Sequence, residues 1–153
     1  MKTIMITVHT AVFLGIMLTA VACSRTPASV SPFTPNMAVP DAASSVPAPT
    51  YKDIRYGSHS AQTFDLWKAA ASKPTPVMIY FHSGGFVSGD KSEFYGNSII
   101  TAALNAGISV ISANYRYSTT APFPAPFLDG ARTVQFVRQN ASLANIDGTR
   151  ILL

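Results

Sequence analysis

The stretch Val77–Ser92, VMIYFHSGGFVSGDKS, decides the fold. An unbroken apolar run, Val77 to Phe81, lies between Pro76 and a histidine that leads into two glycines. Continuous apolar runs of this length suit strands buried on both faces, as in parallel sheets. The HSGGF segment after it frees the backbone for dihedrals that a Cβ forbids and lets it approach a ligand closely. Two successive N–H groups aimed at one point can hold the oxyanion of a tetrahedral intermediate. Removing one such donor costs roughly 3–4 kcal/mol of transition-state stabilisation. A plain Gly-Gly turn is the other reading of the same residues. Placement directly after an apolar strand, early in a β/α chain, favours the anion-holding loop.

Working outward, YKDIRYG alternates weakly and reads as a strand over Tyr51–Tyr56, and AQTFDLWKA alternates more clearly. In the latter, Gln62, Phe64 and Leu66 share one face while Asp65 and Trp67 share the other. The GSHS turn between them makes an antiparallel hairpin, expected at a sheet edge. After Phe81, SEFYGNSIITAALNAG places Phe94, Ile99, Ala102, Ala103 and Ala106 at near-helical spacing, with Gly107 as the stop. ISVISANY is a second buried strand, and RYSTTAPFPAP is a proline-rich connection. APFLDGARTVQFVRQNASLANI reads as a helix with Phe127, Ala131, Val134 and Val137 on one stripe. RILL opens a third apolar strand. The order β-β-β-α-β-α-β predicts an α/β fold: a mostly parallel sheet covered by helices, with the hairpin as its antiparallel edge.

Upstream of Tyr51 the chain changes character. Residues 1–22 carry one cation, Lys2, then an apolar run to Ala22, the pattern of an export signal. Ala20-Val21-Ala22 fits cleavage by an ordinary signal peptidase. Cys23, the single cysteine, follows at once, and TAVAC resembles the lipobox of bacterial lipoproteins, with Ala20 where leucine is usual. Lipidation there would anchor the protein to a membrane without spanning it. The expected location is the cell envelope, in the periplasm or at the outer membrane, or the medium if Cys23 is not lipidated. Residues 23–50 are rich in Pro, Ser and Ala with only Arg25 and Asp41 charged, and read as a disordered tether. The folded part is therefore expected over 51–153. The net charge of +4 is spread thinly. No Lys/Arg cluster alternates with aromatics, so nucleic acid is not an expected partner.

FDLW, PVMIYFHSGGFVSGDKS, GISVISANYRYS, PFPAPFLDGARTVQFVRQNA and NIDGTRILL, taken together in that order and spacing, give the clearest resemblance. The region from Tyr51 to Leu153 resembles the N-terminal half of an α/β-hydrolase of the carboxylesterase/lipase type, closest to hormone-sensitive-lipase-like and ferulic-esterase-like members. The resemblance implies a small-molecule ester as substrate and neither cofactor nor metal. It maps the oxyanion donors to Gly84 and Gly85, gives His82 a role in holding the loop, and makes Phe86 a pocket residue. The family's loop is usually His-Gly-Gly-Gly, so Ser83 stands at its first glycine. If that position requires positive φ, serine there is strained.

The remaining polar residues have plainer readings. His59 is expected in solvent, and Ser88 and Asp90 are expected to fix the loop by local hydrogen bonds. Arg116 and Asp129 are read as a structural ion pair. Asp65 and Asp147 are read as turn or edge carboxylates. The resemblance requires a Ser-acid-His triad with the serine in G-x-S-x-G. No serine here has glycine both two before and two after it. The nucleophile is expected beyond Leu153, the chain is expected to be a fragment of a longer reading frame, and it is expected to be inactive alone. A non-catalytic surface lipoprotein with a hydrolase-like half-fold, or a fragment of a related peptidase or amidase, are the alternatives.

Overall fold

A computed structural model describes residues 46–153. The expected export signal, Cys23 and the tether up to residue 45 lie outside the described residues. The elements are β1 (Tyr51–Arg55), β2 (Thr63–Trp67), β3 (Thr75–Phe81), α1 (Ser98–Asn105), β4 (Ser109–Ala113), α2 (Ala125–Asn140) and β5 (Ile146–Leu152). Short 3-10 turns occupy Lys91–Phe94 and Ala141–Ala144. One five-stranded sheet has the order β1-β2-β4-β3-β5. β1 and β2 pair antiparallel, as do β2 and β4; β3 runs parallel to both β4 and β5. The expected element order and mixed sheet are thus present, with β1 as the antiparallel edge.

The apolar run of β3 is covered on both sides, as its composition demands. Val77 and Ile79 pack with Val137, Ala141 and Ala144 from the α2 side. Met78 and Tyr80 pack against Trp67, Phe94, Ile100 and Val110 on the α1 side. β2 is also buried throughout. Its alternation of polar and apolar residues therefore separates two packed faces, not a core from solvent. Asp65, read as an edge or turn carboxylate, is fully buried at the centre of this strand. It can be so because Lys91 meets it there at 2.7 Å.

Two helical stripes are shifted from their expected positions. The run Ser92–Gly107 is not one helix. Gly96 adopts φ +74 and divides it, and Asn97 caps α1 by accepting from the Ile99 N–H at 2.9 Å. That start fixes the phase so that Ile100 is buried while Ile99 is half exposed to solvent. In α2 the buried residues include Asp129, Thr133 and Val137, whereas Phe127 is exposed. An ionic partner for Asp129 outweighs the apolar pull of the Phe127 stripe.

Residues 46–50, the end of the stretch read as a tether, pack on the sheet. Val46 joins the cluster around Trp67, whose indole N–H donates to the Pro47 carbonyl at 2.7 Å. The Lys68 N–H donates to Thr50 Oγ1 at 3.0 Å. No helix among the described residues is long and apolar enough to cross a membrane.

Candidate active-site loop and its pocket

The loop begins where β3 ends. Gly84, Gly85, Phe86 and Gly89 all adopt positive φ, at 114°, 61°, 64° and 107°. Ser83 is not among the positive-φ residues. The turn takes its left-handed steps one residue later, so serine meets no backbone penalty at this site. A Cβ on Gly84 would lie 2.1 Å from the Ser88 carbonyl oxygen, whereas one on Gly85 would meet nothing within 4 Å. Val87 and Ser88 turn their N–H groups back onto the Gly84 carbonyl at 3.1 and 3.2 Å. The N–H groups of Gly84 and Gly85 themselves donate to no acceptor among the described residues.

Several partners hold the loop in place. The Ser118 N–H donates to the Phe86 carbonyl at 2.8 Å, tying the loop to the segment after β4. The Tyr117 hydroxyl donates to the Gly89 carbonyl. His82 is buried, and its Nδ1 lies 2.7 Å from the Ser83 carbonyl oxygen. Its ring stacks on Tyr115 at 4.4 Å between centroids. The Tyr115 hydroxyl donates to the His82 carbonyl at 2.9 Å. His82 thus lies buried beneath the loop, between its backbone and the Tyr115 ring.

The loop's exit is anchored by charge. Asp90 caps the 3-10 turn by accepting from the Ser92 N–H at 2.8 Å, and Asn114 donates to its other oxygen at 2.8 Å. Burial pushes the Asp90 carboxyl up, but the hydrogen bonds from Ser92 and Asn114 prevail and bring it down to about 2. Lys91 then turns inward between Asp53 at 2.8 Å and Asp65 at 2.7 Å. The Tyr95 hydroxyl and the Asp53 N–H also serve Asp65. Burial alone would lower the Lys91 ammonium, but its hydrogen bonds to Asp53 and Asp65 raise it. This network was not read from the sequence. Its one visible sign is a single acid in the middle of an apolar strand. On the other flank, Asp129 accepts from Arg116 Nη2 at 2.7 Å, Nε at 2.8 Å and N–H at 3.0 Å, and from Gln62 at 2.7 Å. The expected Arg116–Asp129 ion pair is present.

Beside the loop lies a cavity of about 410 Å³, lined by Phe81, Phe86, Tyr115, Phe127, Val134 and Leu153 among others. Phe86 packs edge-on to Tyr115 at 5.8 Å and lies 5.1 Å from Phe127. Phe86, named from the sequence as a pocket residue, is among the residues that line this cavity. Cys23 lies outside the described residues. Among the described residues, no cluster of side chains could hold a metal ion.

A mixed sheet of this order, with a glycine loop after its central parallel strand, defines an α/β-hydrolase fold. The BD-FAE family model matches residues 64–153, and the chain belongs to that esterase family. Tuliposide A-converting enzyme b1 of Tulipa gesneriana is 42% identical over 59 residues, covering 38% of this chain and 16% of the tulip enzyme. Esterase LipI of Mycobacterium tuberculosis is 34% identical over 76 residues, or 50% of this chain and 23% of that esterase. The chain therefore spans well under a third of the length of these curated relatives. Among solved structures, a truncated form of a carbohydrate esterase from gut microbiota aligns with a TM-score of 0.60 at 25% identity, covering 74% of this chain and 40% of that one. Butyrate-bound esterase Est2 of Thermogutta terrifontis aligns with a TM-score of 0.54 at 20% identity, covering 63% of this chain and 36% of that one, and supports the fold alone.

Proposed function

We propose that this chain is the loop-bearing N-terminal part of a serine carboxylic-ester hydrolase. The observation that carries the reading is the pair of unengaged N–H groups on Gly84 and Gly85, at the end of β3 and beside an apolar cavity. A serine hydroxyl supplied from outside these 153 residues adds to the ester carbonyl. The carbonyl oxygen becomes negative, and Gly84 and Gly85 donate to it. The alkoxide of the substrate then leaves with a proton from the triad histidine, giving an acyl-enzyme that water hydrolyses. Loss of one backbone donor would cost roughly 3–4 kcal/mol of barrier lowering. Phe86 and its aromatic neighbours take the apolar part of the substrate. No step needs a metal or an organic cofactor.

The 153-residue polypeptide contains no G-x-S-x-G. Incubated with p-nitrophenyl acetate, the purified polypeptide is expected to release nitrophenol no faster than buffer. Turnover that disappears on replacing any one serine would overturn this reading. Export with lipidation of Cys23 belongs to the same proposal, motivated by TAVAC. Cys23→Ser is expected to move the protein out of the membrane fraction; unchanged membrane association would remove the anchor from the proposal.

A further inference from the structure

We propose that Gly89 and Tyr117 are positioning residues for the Gly84 donor, acting together with the loop-holding His82 through the Ser83–Gly84 peptide unit. The proposal rests on the reading of Gly84 as an oxyanion donor. The Ser83 carbonyl and the Gly84 N–H belong to one planar, trans peptide group, so they point in opposite directions. Whatever fixes the carbonyl also aims the N–H.

The carbonyl is fixed by His82. Its Nδ1 lies 2.7 Å from the Ser83 oxygen. A carbonyl has no hydrogen to give, so Nδ1 must carry the proton of this bond. The Tyr115 hydroxyl, 3.4 Å from the same nitrogen, has its better acceptor in the His82 carbonyl at 2.9 Å. The imidazole cannot turn away easily, since Tyr115 stacks on it with ring planes 13° apart and Tyr117 meets it edge-on at 6.1 Å. Its Nε2 is buried with no hydrogen-bond partner among the described residues. The bond to Ser83 is therefore the ring's main polar tie.

Gly89 closes over that bond. A Cβ there would lie 2.3 Å from His82 Nδ1 and 2.5 Å from the Ser83 oxygen, touching both atoms of the hydrogen bond. Only glycine allows this approach, at φ +107. The Tyr117 hydroxyl holds the Gly89 carbonyl and so keeps the backbone seated. Water is displaced from one side of the bond, which strengthens it. A hydrogen bond to the carbonyl of an amide also polarises that amide and makes its N–H a better donor, by roughly 10–30% per bond. Orientation and donor strength at Gly84 thus both depend on residues that touch no substrate.

The test uses the full 153-residue chain, labelled with 15N, in NMR. Long-range correlations of the His82 ring are expected to place the hydrogen on Nδ1. In Gly89→Ala the ring is displaced, that signature is lost and the Gly84 amide proton moves upfield. Tyr117→Phe keeps the ring but not the hydroxyl, and is expected to give a smaller upfield shift of the same amide, providing a milder variant if Gly89→Ala does not fold. A hydrogen on Nε2 in the unaltered chain, or a Gly84 amide that stays put in the folded variants, would overturn the proposal. Titration with sodium butyrate addresses the donor reading separately: the carboxylate is expected to shift the Gly84 and Gly85 amides. If butyrate moves neither while the ring signature and variant shifts appear, the oxyanion reading falls and the coupling between His82 and Gly84 stands.

Discussion

Asp129 is fully buried yet keeps its charge because Arg116 and Gln62 supply hydrogens to both its oxygens. Burial pushes its carboxyl up, but Arg116, through side chain and N–H, and Gln62 outweigh burial and bring it below the usual aspartate value. Asp129→Ala leaves the Arg116 and Gln62 donors without their carboxylate and is expected to cost about 3 kcal/mol in urea denaturation. The pH dependence follows from the sign of the shift. With the folded value depressed, the contribution is complete above the unfolded aspartate value and is lost as pH falls through the folded one. Denaturation below about pH 4 should show that loss, and Asp129→Asn should lack it. The loop glycines separate in the same assay. Gly84→Ala drives a Cβ into the Ser88 carbonyl and is expected to destabilise severely, whereas Gly85→Ala meets open space and carries only the left-handed penalty of about 1 kcal/mol. The loop was legible residue by residue because glycine reports backbone geometry directly. Asp65 was not: its partners Asp53, Lys91 and Tyr95 stand 12, 26 and 30 residues away, and nothing local announces them.

Helix α1 shows what periodicity can and cannot specify. Ile99, Ile100, Ala102, Ala103, Leu104 and Ala106 are apolar nearly all the way round, so several stripes fit the same residues. The cap decides among them. Asn97 begins the helix and thereby turns Ile100 inward. Asn97→Ala is expected to cost about 1 kcal/mol, read by thermal denaturation followed by circular dichroism. β3, by contrast, was plain in the sequence, since Val77–Phe81 is an unbroken apolar run between Pro76 and the histidine that leads into the loop glycines. α2 was legible as a helix but not in its facing. Its buried side was chosen by an ion pair and by Thr133, whose hydroxyl donates to the Asp129 carbonyl at 2.9 Å within the helix.

For the molecule as a whole, the boundary of the folded body matters most. Val46 to Thr50 seal the face that α1 covers, although their composition is that of a linker. Starting the chain at residue 51 removes the Val46 contact and the acceptor of the Trp67 indole, with an expected loss of at least about 2 kcal/mol by the same denaturation assay. Composition hid this seam because four of its five residues are Pro, Ala or Thr, although Val46 and Pro49 are both buried.

Trp67 is also the sole tryptophan of the 153 residues. Intrinsic tryptophan emission from this protein therefore reports the seam between residues 46–50 and the sheet. β2 runs antiparallel to β4, and Trp67 stands level with Val110 near the start of β4, while the glycine loop follows the far end of the neighbouring parallel strand. A loop variant with unaltered fluorescence has shown only that the opposite end of the sheet is intact. A spectroscopic probe of the loop has to be placed there, and Phe86, exposed and beside the cavity, is the position at which an introduced fluorophore would report it.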